Sequence, residues 1–374
     1  MKKTFCSLCA ILLCFIILSP AMAVGTVSVI SELDFVTQNI EELLPSLLYD
    51  EHFGVTVDNF DNIYIGSPIS SYSYENEHWS DCFLQYPIYQ ISESENQIIG
   101  LCRIITHSNG ERTVDYGIDC ANELQVFLEK NNNPAIALLY YEDHVSVKTN
   151  SSEVVLQTYV TNYSSISTVS IPDYLSLNTS TVIKKISTPI STFGLNANEG
   201  HTLDIDVVLQ GNYGICWAAG VACVTNYYYD YSLDALDVAE YASALGYIYW
   251  DPDINDYNRG LYDDECVELL NEYDIGTDHK TIYFTYSTLK NHINNDRLIY
   301  IFGDRYDSSG DVVAGHVVIG YGYSSTTSGG KSMYYMEPNT GRRVATFPSS
   351  GPIIFTSTSN LQYETDGYVV CSES

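Results

Sequence analysis

The two halves of the chain differ in the order of their hydrophobic patterns. Upstream, an apolar pattern with helical spacing occurs near residues 40–48, where Pro45 interrupts it. Short alternating runs then follow at 64–65, 88–91, 98–106, 113–116, 135–141 and 145–148. Alternation sends successive side chains to opposite faces, so these runs read as half-buried strands. Ser108-Asn109-Gly110 and Asn131-Asn132-Asn133-Pro134 supply turns between them. Between residues 159 and 198 the periodicity fades into Ser, Thr, Asn and Pro, the composition of a linker. Lys184-Lys185 lies there, and an accessible loop is where proteolytic nicking concentrates.

Downstream the helices come first. Residues 215–228 form an apolar and aromatic run suited to a buried helix, and Ser232 can cap a second helix through 245. A third at 261–273 carries Cys266, Leu269 and Leu270, and Ser287 can cap a short fourth ending near 294. Strand patterns follow at 298–302, 316–323, 332–336, 344–347, 352–356 and 368–371. Helices followed by a run of strands predict an α+β fold, and no repeat of 20–50 residues is evident.

Composition narrows the function. The 374 residues include 47 Asp+Glu against 16 Lys+Arg, a formal charge of −31, with 45% hydrophobic residues and 33 Tyr. The length suits two domains, and this much apolar side chain argues against disorder. The acidic excess argues against nucleic acid or anionic lipid as partner, because both are bound mainly through Lys and Arg. From Ile186 onward there are 25 Asp+Glu and 8 Lys+Arg, so both halves are acidic and are expected to repel once cleaved apart.

The amino terminus predicts the compartment. Met1-Lys2-Lys3-Thr4, an uncharged apolar run over 5–18 and Ala21-Met22-Ala23 have the order of a secretory signal peptide cleaved after Ala23. The run is short for a bilayer span of about 20 residues, so no membrane anchor is expected. The exported chain keeps Cys82, Cys102, Cys120, Cys216, Cys223, Cys266 and Cys371, an odd number that leaves at least one thiol without an internal partner. No Cys/His cluster has metal-binding spacing, and neither a metal nor a cofactor is expected. The stretch 251–256 places Asp or Asn at alternating positions but lacks the central Gly and closing Glu of a calcium loop, so it reads as a solvated acidic loop.

Candidate chemistry concentrates at three places. In Gln210-Gly211-Asn212-Tyr213-Gly214-Ile215-Cys216-Trp217, Cys216 sits where a glycine-bearing loop turns into an apolar helix. A nucleophilic thiol works as the thiolate, which a helix N-terminus stabilises through its unpaired N–H groups. Gln210, six residues earlier, can fold back to donate to an oxyanion together with the Cys216 N–H. In Gly315-His316-Val317-Val318, a histidine opens an apolar strand and can take the thiol proton. In Met333-Tyr334-Tyr335-Met336-Glu337-Pro338-Asn339, an apolar strand ends in a carboxylate and an amide, either able to orient an imidazole.

Gln210, Cys216-Trp217-Ala218, Gly315-His316 and the strand end at Glu337-Pro338-Asn339 resemble the papain-like cysteine peptidases in order and in the six-residue step from Gln to Cys. The likeness is greater to compact bacterial branches, such as staphopains, streptopain and bacteriocin-processing-type peptidases, than to papain. It covers about the last 175 residues. The resemblance implies a catalytic domain at 199–374 with a helical lobe and an antiparallel β-lobe, a β-rich α+β pro-region at 24–158 and a linker at 159–198. It implies a secreted monomeric endopeptidase made as a zymogen, with a protein or peptide substrate and intramolecular inhibition by the upstream region. Cys216 would be the nucleophile, His316 the base and Gln210 the oxyanion donor. Glu337 directly precedes a proline, as the orienting residue does in some compact branches, whereas Asn339 has the superfamily's usual chemistry; Glu337 is preferred. The resemblance also suggests a Cys223–Cys266 bridge, with two reduced buried thiols the alternative. Two further readings remain open: a thiol amidase or transpeptidase acting on cell-wall peptides, and a binding protein with a decayed peptidase lobe.

Overall fold

The computed structural model describes residues 31–374 except 57, 59, 76–77, 80–82, 93–95, 119, 142–143, 159–176, 180–181, 187–198, 212, 307–308 and 358–361. The expected signal peptide, Cys82 and most of the expected linker lie outside the described residues. Residues 36–374 form one compact unit. Among the described residues no helix is long and apolar enough to cross a membrane.

The upstream strands form where alternation predicts them and run somewhat longer. Phe83–Ile91, Asn96–Thr106 and Arg112–Gly117 make an antiparallel meander, and Ile63–Gly66 pairs with the first of these. Ala135–Tyr140, His144–Lys148 and Glu153–Thr158 make a second meander, joined to the first through Ile69–Glu75. That joining strand reads Ile-Ser-Ser-Tyr-Ser-Tyr-Glu, and its serines hide the strand pattern from hydropathy. Pro45 ends up buried in the last turn of the helix Glu32–Leu47. The helix Ala121–Lys130 puts Ala121, Leu124, Phe127 and Leu128 against Ile98, Leu138, Val145 and Val147.

Downstream, four helices form at Cys216–Tyr229, Ala235–Ala244, Asp263–Glu272 and Tyr286–Ile293. The second starts later than Ser232 suggests, because Asp234 and Asp237 close a reciprocal capping box. Thr285, not Ser287, caps the fourth. The strand order is Ile275–Lys280, Gln362–Glu373, Ile299–Tyr306, Val312–Ser325, Lys331–Glu337 and Gly341–Thr346, all neighbours antiparallel. The sheet does not stop there: Gly341–Thr346 pairs with the upstream strand Arg112–Gly117, Val344 opposite Tyr116. One sheet therefore crosses the expected domain boundary.

One expectation is corrected and one open choice is decided. Lys184 and Lys185 are not in an open loop: they sit on the strand Val182–Lys185, opposite Ile65 and Tyr64. Cys223 and Cys266 are not bridged; both are buried and reduced, and burial pushes the Cys223 thiol up to about 12 and that of Cys266 higher still.

The Cys216 helix is apolar all round and buries residues 217–226, which seats it on the sheet rather than beside it. Its close approach depends on Gly220. A Cβ there would lie 2.8 Å from the Tyr300 ring and 3.0 Å from the Val317 side chain. Gly220→Val is expected to cost about 1–3 kcal/mol through overpacking, read as a lower midpoint in urea unfolding. An unchanged midpoint would mean that helix and strand can part without loss.

Candidate active site

The loop before Cys216 is fixed at several points. Gly211 has φ +67°, a left-handed conformation that favours glycine. The Gly214 N–H donates to the Asp256 carboxylate at 2.8 Å, and the Tyr213 ring meets Trp250 edge-on at 5.6 Å. Asp256 and Trp250 belong to a two-stranded hairpin, Trp250–Asp251 with Asp256–Tyr257, so the acidic loop braces the approach to Cys216. Ile215 occupies the N-cap and brings no side-chain acceptor. Its carbonyl accepts from the Ala218 and Ala219 N–H groups. The Cys216 N–H precedes those donors and, as a first-turn group, has no intrahelical partner.

His316 lies on the strand Val312–Ser325, opposite Gly303. A Cβ at Gly303 would come within 2.5 Å of the Phe355 ring, so glycine there lets Phe355 and Tyr363 close in. Their rings lie 6.1 and 4.9 Å from the imidazole, which is 7% exposed. Nε2 of His316 is 2.6 Å from Oε1 of Glu337. With Nε2 committed, Nδ1 is the nitrogen left to serve the Cys216 thiol, which lines the same cleft.

Glu337 ends the strand Lys331–Glu337 and is fully buried. Its carboxylate accepts from the backbone N–H groups of Asn339 at 2.9 Å and Thr340 at 2.8 Å, and from the Thr340 hydroxyl at 3.0 Å. The Asn339 side-chain amide donates to the same carboxylate at 3.3 Å. Asn339 therefore supports Glu337, and Glu337 is the group that reaches the imidazole. Burial pushes the Glu337 carboxyl up, but the bond and charge of His316, helped by Arg343 and Thr340, outweigh it and hold the group low. Burial likewise pulls the His316 imidazole down. The charge and hydrogen bond of Cys216, then those of Glu337, outweigh that and raise it to about 10.

Gln210 is tied to the same corner. Its N–H donates to the Pro338 carbonyl at 2.8 Å, which joins the Cys216 loop to the turn after Glu337. Its side-chain amide donates to the Tyr213 carbonyl at 2.7 Å, while Oε1 is buried with no partner among the described residues. One amide N–H is thus used locally and the second remains.

Cys216 and His316 face a cleft of about 450 Å³ that Trp217, Tyr262, Asp263 and Asp304 help to line. Among the described residues, its lining runs from Gly214 to Val317, with no upstream residue. Burial first and then the nearby Asp366 charge raise Asp263 and Asp304 to about 6 each. No group of His, Cys, Asp and Glu among the described residues could hold a metal. Sequence reasoning passed over Thr340 and Asp256. A Thr three residues after a strand-ending carboxylate is a local signal for the first, whereas the second acts across 42 residues and leaves none.

No curated protein matches this chain. Residues 199–350 match the model of the family described as papain-like cysteine protease AvrRpt2, a span that contains Gln210, Cys216, His316, Glu337 and Asn339. Over those residues the chain is similar to a papain-like cysteine peptidase family.

Proposed function

We propose that the protein is an exported cysteine endopeptidase in which Cys216, His316 and Glu337 act together. The observation that carries this reading is the buried His316–Glu337 bond at 2.6 Å, with the same imidazole lining one cleft with a thiol at a helix start. Glu337 holds the ring and favours its protonated form, which suits the ring to take the thiol proton as the nucleophile forms. The thiolate attacks the peptide carbonyl carbon, and the Cys216 N–H with the remaining Gln210 amide N–H binds the oxyanion. As the tetrahedral species collapses, the C–N bond breaks and Nδ1 of His316 gives its proton to the leaving amine. Water then adds to the thioester as His316 removes its proton, and the carboxylic acid leaves as the thiolate re-forms.

The amino-terminal 23 residues support export, with the mature chain beginning after Ala23. The test is covalent. An irreversible thiol-directed peptidase inhibitor is expected to place an adduct on Cys216, mapped by mass spectrometry, with hydrolysis of casein lost in step. Of the described cysteines, Cys216 is the one not fully buried, which favours that site. Undiminished hydrolysis after stoichiometric modification of Cys216 would sink the mechanism.

A further inference from the structure

The upstream segment is expected to be a removable inhibitor, yet its contacts with the catalytic segment are of another kind. The hairpin that carries Glu337 pairs Met336 with Arg342 and Tyr335 with Arg343. Both arginines are buried, at 6% and 3% exposure. The carboxylates that meet them come from upstream. Arg342 donates to Asp50 at 3.1 Å, and Tyr321 donates to the same carboxylate at 2.8 Å. Arg343 donates to Asp115 through Nε at 2.9 Å and also through Nη2, and Tyr335 donates to it at 2.5 Å. The backbone adds the Arg112–Gly117 pairing, the Tyr334 hydroxyl bonds the Ser46 carbonyl, and the Thr202 hydroxyl bonds the Tyr49 carbonyl at 2.8 Å.

We propose that the upstream half is an obligatory structural part of the active enzyme, with Asp50 and Asp115 as positioning residues for the Glu337 hairpin. Separating the halves strips two buried guanidiniums of their carboxylates, exposes a strand edge and leaves buried tyrosine hydroxyls without acceptors. The hairpin so released carries Glu337, and its turn holds Gln210 through Pro338. Arg342 also donates to the Ile205 carbonyl at 2.7 Å, which ties in the segment leading to Gln210. Among the described residues, the lining of the catalytic cleft is entirely downstream. The net acidity of both halves, which points toward repulsion, is a long-range average. At the contact itself, buried cations of one half meet buried anions of the other, and burial shields them from screening by salt.

The full-length protein, given a site for a sequence-specific peptidase within residues 187–198 and cut after folding, is the test. The two pieces are expected to elute together at low salt and at molar salt and to label at Cys216 at the uncut rate. Separation with loss of labelling also supports an obligatory role. Separation in which the 199–374 piece keeps or gains labelling overturns it, as does a full-length chain that labels only after the upstream piece is gone. Co-elution is read without reference to hydrolysis, so failure of the peptidase reading and failure of this one are distinguishable. In the uncut chain, Asp115→Asn is expected to lower kcat severalfold with KM held and to move the alkaline limb of the rate profile to lower pH. An unmoved limb with an unchanged kcat would overturn the positioning role.

Discussion

Cys216→Ala is expected to lower kcat by on the order of 10⁶, the size of effect seen when a nucleophile that acts as a unit with its base is removed. The loss should be in turnover rather than folding. Cys216 is only partly buried and opens its helix, and alanine there keeps the Cβ and the backbone N–H of the first turn. The variant should thus keep the parent's thermal midpoint and still bind peptide. Cys216→Ser should be nearly as inactive, because the imidazolium arrangement suits a thiolate and a hydroxyl at this position stays protonated. The readout is single-turnover hydrolysis at saturating peptide beside a melting curve. Activity within tenfold of the parent would assign the chemistry to another group.

The second large effect is expected at Glu337. Glu337→Ala removes the acceptor of His316 Nε2–H and, with it, the partner of two backbone N–H groups and one hydroxyl. A drop in kcat of about 10²–10⁴ follows if the ring loses its orientation and proton affinity. Breaking a buried pair from one side also costs stability, about 3–5 kcal/mol. Glu337→Gln separates the two losses, since its amide oxygen can still accept from the ring but brings no charge.

The pH dependence has a definite sign. His316 is raised to about 10 in the folded protein, so its ionised form contributes stability that is fully present below its ordinary pKa of 6.5. That contribution is lost as pH rises through about 10. Glu337 is held below its usual 4.5, so its contribution is present above that value and lost as pH falls through the lowered one. Removing the Glu337 charge lowers the His316 affinity for its proton, and the alkaline limb of kcat/KM should move down in both variants. Profiles between about pH 5 and pH 10 check this. A limb that stays in place in Glu337→Gln would show that Cys216 alone sets the imidazole's charge.

Much of this molecule is local and was legible as such. The upstream runs from residue 64 to 148 became strands because alternation fixes which face each side chain takes. Cys216 at a loop-to-helix junction and the strand bearing His316 were readable because each element declares itself within a dozen residues, although that strand begins at Val312 and not at the histidine. The strand Ile275–Lys280 was not readable. It offers one apolar residue at its start, is only partly buried beyond it, and exists because Gln362–Glu373 pairs with it. The choice between Glu337 and Asn339 was likewise open in sequence, since both stand within two residues of the strand end. The register of the hairpin settled which reaches the ring, aiming Glu337 at His316 and Asn339 at Glu337.

The sequence by itself determined most of the element types and the acidic character of both halves, and it singled out Cys216 as the candidate nucleophile. Only the tertiary structure decided that Arg342 and Arg343 are a buried anchor, and that Lys184-Lys185 lies on a strand. It also decided that one sheet spans what composition divides in two. The physical reason is separation along the chain. Periodicity and capping act over a few residues and are written in the local pattern. The partners Asp50–Arg342 and Asp115–Arg343 stand 292 and 228 residues apart, and no local pattern records which distant carboxylate a buried guanidinium will meet.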